Sequence, residues 1–416
     1  MRKIILFTTL LFSSLAMGQQ TVTLYECYDL LESNYPLIKQ RQMLDIQNQL
    51  DAEALSYTKW PQFNLEAQAT YQSDVTQVPL ANSPIEPLNK DQYRATFSVN
   101  QLIYNGGLTD AALQVKTSQL KANQKQIDVS IHQLKQQINQ LYFSILLAQE
   151  THQLLEAKKA QLKTKLDEVK SGVKNGMLLP ASDSALETEL LKIEQQFIEV
   201  ESARSTLIVS LSTLIGQDLS DETEFKKPLI ENHLQAEIKR PELDLFEYKK
   251  EEIESSESLI SKQNAPKLNG FAIGGYGNPG LNMLDNSFQP FYMFGVKLNW
   301  TVFDWNTNNK KRESLAINKA IIDNEAEIFK LNTNMELNRQ EKDIDKISAF
   351  IQSDFKIIEL QKKVLKIADS QLKNGVITSS AYMIEFTNLL EAENALVKHK
   401  TQLELAKANY NIIKGH

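Results

Sequence analysis

Gly275-Tyr276-Gly277-Asn278-Pro279-Gly280 spells GxGxxG, the spacing with which a chain cradles the pyrophosphate of a dinucleotide. That chemistry needs a strand before the first glycine, a helix opening at the last, and an acid about twenty residues on for the ribose. Here Pro279 interrupts the motif and the next regular pattern is another strand, so these residues are read as a surface hairpin loop. His132, His152, His233, His399 and His416 are scattered without metal-ligand spacing, and no GxSxG nucleophile elbow occurs. Cys27 is the only cysteine; it excludes a disulfide framework and reads as a packed helix residue. Catalysis is not expected, and neither a metal nor another cofactor is implied.

The long elements that carry these residues are more informative. Met1 to Gly18 has the form of a secretory signal, with Arg2 and Lys3 as its basic start, an apolar stretch from Ile4 to Leu15, and Ala16-Met17-Gly18 as a small-residue cleavage site. Cys27 is not at the cleavage point, so lipid attachment at the first mature residue is not supported. No later stretch approaches the ~18 uninterrupted apolar residues of a membrane-spanning helix. The formal charge of −7 becomes −9 once Arg2 and Lys3 are removed, which argues against a nucleic-acid partner. Only 14 Gly and 11 Pro punctuate 416 residues, so the elements must be long.

The chain repeats itself. A shift of 199 lays Asn100 on Asn299, Lys174-Asn175-Gly176 on Lys373-Asn374-Gly375, Leu190-Leu191 on Leu389-Leu390, and Gly216 on Gly415. Upstream the shift is 205, laying Pro36 on Pro241 and Pro61 on Pro266. The first repeat is expected over 19–216, an inter-repeat segment over 217–240, and the second repeat over 241–416.

Each repeat contains two stretches with the alternation of a strand. In 63–71, Phe63, Leu65, Ala67, Ala69 and Tyr71 oppose Asn64, Glu66, Gln68 and Thr70. Strands are expected at about 63–73, 93–104, 267–277 and 291–303. In the third, Phe271 and Ile273 fall where the first repeat has polar residues. Each strand pair is followed by a long helical pattern, about 105–172 and 306–372, with Ile127, Ile131, Leu134, Ile138, Leu141 and Ile145 at coiled-coil spacing. At 1.5 Å per residue the first would be about 100 Å long. Asn175-Gly176 offers a left-handed helix end, Pro180 suits the first turn of a return helix over about 180–214, and a second return is expected over about 380–413. A further helix, about 36–59, precedes the first strand pair. Asn105, Gly106 and Gly107 are expected to form the joint where strand becomes helix; the second repeat puts Trp305 and Asn306 where the glycines stand.

Four strands are too few to close a barrel of useful width, yet their length and apolar face suit a tilted outer-membrane strand, whose backbone groups must all be paired. Closure must then come from several chains. The stretches "NYPLIK" at 34–39, "WPQFNL" at 60–65, "FSVNQLIYNGG" at 97–107, "KNGMLLPASD" at 174–183 and "LSTLIG" at 211–216, with their echoes in the second half, resemble the TolC-like outer-membrane efflux proteins over essentially the whole mature chain.

The resemblance implies a mixed α and β membrane fold: a homotrimer whose twelve strands share one β-barrel in outer-membrane lipid, continued by a long periplasmic α-helical barrel. It implies an exit duct for efflux or type I secretion, working with a periplasmic adaptor and an inner-membrane pump and gated at the helix tips. In the family, acids on the second helix beyond the tip glycine narrow the mouth. Where they would lie, this chain has Ala381 and Ile384; Glu385 is the nearest acid, with Tyr382 and Asn388 beside it, and Asp183 and Glu187 stand near the first tip. Each of these acids also suits a solvated helix surface. Lys174, Asn175, Gly176, Lys373, Asn374 and Gly375 are helix terminators and candidates for contact with an adaptor. Tyr93, Tyr104 and Trp300 are expected in interfacial girdles, Trp60 and Trp305 in packing where strands meet helices. The other architecture compatible with long paired helices is a soluble periplasmic coiled-coil scaffold or adaptor.

Overall fold

A computed structural model describes residues 21–79, 84–231 and 237–416; the expected signal segment and His233 lie outside the described residues. The order is β1 (Thr21–Val22), α1 (Leu24–Asn34), α2 (Pro36–Tyr57), β2 (Gln62–Tyr71), β3 (Asp91–Tyr104), α3 (Leu108–Lys174), α4 (Ser182–Ile215), β4 (Glu224–Phe225), α5 (Pro241–Lys262), β5 (Lys267–Asn278), β6 (Gln289–Asn299), α6 (Thr307–Lys373) and α7 (Ser379–Lys414). The chain divides into two compact units. One comprises residues through Ile38, Ser130–Arg240 and Leu331–His416, the other Lys39–Val129 and Pro241–Lys330. Both cut across the sequence repeats.

Helices α2 and α5 both have 22 residues and both begin on proline, whose fixed φ suits a first helical position and whose missing N–H is not needed there. Helices α3 and α6 both have 67 residues. No helix among the described residues is long and apolar enough to cross a membrane.

The strands of the second unit form one antiparallel sheet, ordered β2-β3-β5-β6. Its register aligns Leu65 with Phe97, Phe97 with Gly274, and Gly274 with Tyr292; Phe63, Val99, Ala272 and Phe294 form the next row. Because side chains alternate, one face is apolar from edge to edge. That face is bare: Leu65 is 80% exposed and Tyr292 77%. On the other face, Asn64, Glu66 and Gln68 oppose Ser98, Thr96 and Arg94. Phe271 and Ile273 share this second face, which explains why β5 does not copy β2. The outer sides of β2 and β6 have no strand partner among the described residues.

Several boundaries differ from the sequence reading. The strand expected to reach 303 ends at Asn299, opposite Lys267. Pro266 precedes Lys267 and has no N–H with which to extend the ladder. Trp300 and Val302 are therefore outside the strand. Strand β5 runs to Asn278, in keeping with the strand expected over about 267–277, so Gly275, Tyr276 and Gly277 of the GxGxxG stretch are strand and not hairpin loop. A Cβ on Gly277 would meet the Tyr93 carbonyl oxygen at 2.7 Å, so glycine there serves a close backbone approach, not phosphate binding. Pro180 lies before α4 and not in its first turn. Trp60 and Trp305 are 64% and 84% exposed, each making one edge contact near a strand–helix boundary, with Tyr57 and Phe303. The segment 217–240 contains β4, which pairs in parallel with β1. Buried Tyr142 fixes that pair by donating its hydroxyl to the Val22 and Lys226 carbonyls at 2.9 and 2.6 Å.

The two strand-to-helix joints have one backbone solution. Gly106 and Gly107 are left-handed, with φ of 68° and 79°. Trp305 and Asn306, at the corresponding positions, are also left-handed, with φ of 54° and 65°. The joint thus repeats without its glycines. Asn105 donates to Thr109 Oγ1 at 2.6 Å; its counterpart Asp304 accepts from the Asn308 N–H at 2.9 Å and from Asn264 Nδ2 at 2.6 Å. Those hydrogen bonds, Asn264 first, hold the Asp304 carboxyl below its ordinary pKa.

Candidate aperture at the helix tips

All the candidate tip residues lie in the first unit, the Lys-Asn-Gly triplets at the α3–α4 and α6–α7 turns and the others in α4 and α7. At the first, Gly176 has φ of 69°, its N–H donates to Val173 O at 3.0 Å, and Met177 N–H donates to Gly172 O at 2.8 Å. At the second, Gly375 has the same φ and donates to Leu372 O at 3.0 Å, while Val376 N–H donates to Gln371 O at 2.8 Å. This pair of bonds closes a helix on a left-handed residue and satisfies its last carbonyls. Lys174 and Lys373 stand in the final turns, where the helix dipole favours cations. Both Lys-Asn-Gly triplets are exposed.

Heptad packing builds the core behind the tips. Leu155, Leu162 and Val169 of α3 and Ile358, Leu365 and Leu372 of α6 recur every seven residues and pack with Leu186 and Ile193 of α4 and Phe386 and Leu389 of α7. Burying such side chains contributes about 1.5–3 kcal/mol each.

Against this core lies an ion network. Lys165, with a side chain only 7% exposed, pairs with Glu168 at 2.8 Å and also with Asp369. Lys373 pairs with Asp369 at 3.2 Å and approaches Glu168 at 3.7 Å. Seven residues before Lys165, Lys158 pairs with Glu393 at 2.6 Å, and Lys362 approaches the same carboxylate at 3.4 Å. The two buried ammonium groups lie over aromatic rings, Lys165 5.5 Å from Tyr382 and Lys158 5.7 Å from Phe386. Burial opposes ionisation of Asp369, but its bonds to Lys165 and Lys373 outweigh that and hold its pKa below the usual value. Glu168 is lowered first by its bond to Lys165. Burial, helped by these two acids, pushes the Tyr382 hydroxyl up to about 12.

The candidate residues therefore have different surroundings. Tyr382 is buried in the helical core. Glu385 is partly buried and accepts from Asn388 Nδ2 at 3.3 Å, so these two are brought together. Asp183 is partly buried in the first turn of α4, and Glu187 is tied to Lys170 at 2.7 Å. Sequence reasoning missed Lys158, Lys165, Asp369 and Glu393. The available signal was the seven-residue interval between Lys158 and Lys165 beside the apolar positions of α3.

Residues 28–217 match the family model described as outer membrane efflux protein. The fold is similar to that of VceC, an outer membrane protein of Vibrio cholerae, at 16% identity and a TM-score of 0.67, covering 94% of this chain and 96% of that one. The CmeC outer membrane channel of Campylobacter jejuni matches at 14% identity and a TM-score of 0.65 over 94% and 85%. The open state of the MtrE outer membrane channel of Neisseria gonorrhoeae matches at 14% identity and 0.65 over 94% and 89%. No curated protein matches the sequence significantly. The first half of the chain is thus similar to the outer membrane efflux protein family, and the chain as a whole has the fold of these outer-membrane channels.

Proposed function

We propose that this protein is the outer-membrane exit duct of an efflux or type I secretion system, reaching into the periplasm and passing substrates to the outside without making or breaking a bond. The observation that carries this reading is the four-stranded sheet, with one bare apolar face and two unpaired edges. Lipid rewards such a face and forbids such edges, so neighbouring copies must pair them. Three chains would close twelve strands, with the apolar face outward and the polar face lining the lumen. Periplasmic helices would line the path from an adaptor and an inner-membrane pump, which supplies the energy.

The exposed triplets Lys174-Asn175-Gly176 and Lys373-Asn374-Gly375 are the proposed adaptor contacts. Glu385, oriented by Asn388, is the proposed aperture residue, because one carboxylate repeated around an axis concentrates negative potential. Asp183 and Glu187 are the acids offered by the first tip, and Tyr382 supports α7 from within.

Membrane extraction and planar-bilayer recording test the proposal. Detergent-dependent extraction, a native mass of three chains and discrete channel currents are expected. Recovery of the mature protein with the soluble periplasm and no current would overturn it in favour of the scaffold reading.

A further inference from the structure

The polar face of the sheet is polar only in its first half. On β5 and β6 it carries Phe271 opposite Gly295, Ile273 opposite Met293, and Gly275 opposite Phe291. The two phenyl rings lie over the glycines: a Cβ on Gly295 would meet the Phe271 ring at 3.1 Å, and one on Gly275 would meet the Phe291 ring at 2.5 Å. Glycine here gives each ring room to lie across the sheet. Arg94, one strand over on β3, places its guanidinium carbon 5.5 Å from the Phe291 ring centre. Among the described residues no carboxylate comes within ion-pair distance of Arg94, and it is exposed.

We infer that Arg94 with Phe271, Ile273, Phe291 and Met293 forms a binding site for an amphipathic organic anion. Its aromatic or acyl body would lie on the four apolar side chains, and its carboxylate would take the planar N–H fork of Arg94. The chemistry follows from what is unmatched. Four apolar groups stand on a face otherwise built of polar and charged side chains, Glu66 and Lys297 among them, where only an apolar partner relieves their hydration. The neighbouring cation has five donors and one ring beneath it, and even Glu66, diagonal to it on β2, does not come within ion-pair distance. Space-filling over the glycines accounts for the rings but leaves the arginine unexplained. The inference rests on the duct reading, which turns this face toward the lumen and so makes the site a selectivity element along the exit path.

The test uses the full-length mature protein and 2-naphthoate as the probe. In planar bilayers, naphthoate should produce resolved interruptions of the open current. The half-blocking concentration, read against each variant's own open current, should rise about tenfold in Arg94→Gln, the loss expected for one charge-assisted bond. Phe271→Ser should raise it as well, whereas Arg94→Lys should retain much of the block. Neutral 2-naphthalenemethanol should block weakly and alike in the wild type and Arg94→Gln. No interruption in the wild type, or equal naphthoate block in Arg94→Gln, overturns the site. If the wild type passes no current, the duct reading fails by itself. Equilibrium dialysis of naphthoate against the protein in lipid nanodiscs then decides the site, with binding that weakens in Arg94→Gln supporting it and equal or absent binding rejecting it.

Discussion

Lys165 on α3 stands 5.5 Å from the ring centre of Tyr382 on α7, while its ammonium group bonds Glu168 at 2.8 Å. A nearly buried cation is thereby held by an aromatic face and by carboxylates from its own helix and from α6. Replacing Lys165 by Met leaves Asp369 and Glu168 short of a partner. Breaking a buried pair costs about 3–5 kcal/mol, and because both acids are partly solvated the expected loss is about 1–2 kcal/mol. Denaturant unfolding of the purified protein measures it. A double change with Asp369→Asn should lose less than the sum of the singles, and strict additivity would remove the network as a unit.

Acid should expose the same network. Asp369 and Glu168 both titrate below their ordinary values in the folded chain, through the lysine bonds already described. The unfolded chain therefore binds their protons first as pH falls. Their contribution is fully present above the unfolded pKa of about 4 and is lost as pH drops through the lower folded values. Unfolding midpoints followed from pH 6 to pH 3 should fall more steeply for the wild type than for Lys165→Met. Parallel curves would contradict the assignment.

At the first strand-to-helix joint, Gly106 and Gly107 share a left-handed backbone but differ in their surroundings. A Cβ on Gly106 would meet Ala265 Cβ at 2.1 Å, whereas nothing lies within 4 Å of one on Gly107. Gly107→Ala should cost only the left-handed penalty of about 1–2 kcal/mol, and Gly106→Ala distinctly more. Thermal melts of the two variants rank them, and equal losses would show that Ala265 yields freely.

Glu385→Gln removes one charge per chain and keeps the side-chain shape. If Glu385 lines the aperture, single-channel recording should show reduced cation preference and weaker block by multivalent cations. Unchanged current and unchanged block would reject Glu385. The acids at the first tip would then be tested in turn, Asp183→Asn before Glu187→Gln, because Glu187 is engaged by Lys170.

The sequence made some elements plain because a single local rule governs them. Gly176 and Gly375 mark left-handed helix ends, and proline opens α2 and α5, positions where backbone geometry narrows the choice of residue. Other elements depend on distant neighbours. The β1–β4 pair has two residues on each side and owes its place to Tyr142, more than a hundred residues from β1, so no local pattern marks it. The second joint looked unlike the first because it has no glycine, yet Trp305 and Asn306 adopt the same backbone, with Asp304 bonding the first turn of α6. Tyr382 stood next to a tip in sequence but turns inward, and Lys158 and Lys165 draw partners from α6 and α7 that nothing local to α3 marks. The faces of β5 became clear only from its register with β3 and β6.

The unpaired edges of β2 and β6 also constrain how the protein is made. A lone chain cannot enter lipid by itself, because each bare edge would carry a row of peptide N–H and carbonyl groups into hydrocarbon with nothing to bond. Left in water, the same edges and the apolar face beside them invite pairing with any passing strand. On the proposed duct reading, biogenesis would therefore join subunits before or during insertion, and any escort in transit would shield the sheet until its siblings arrive.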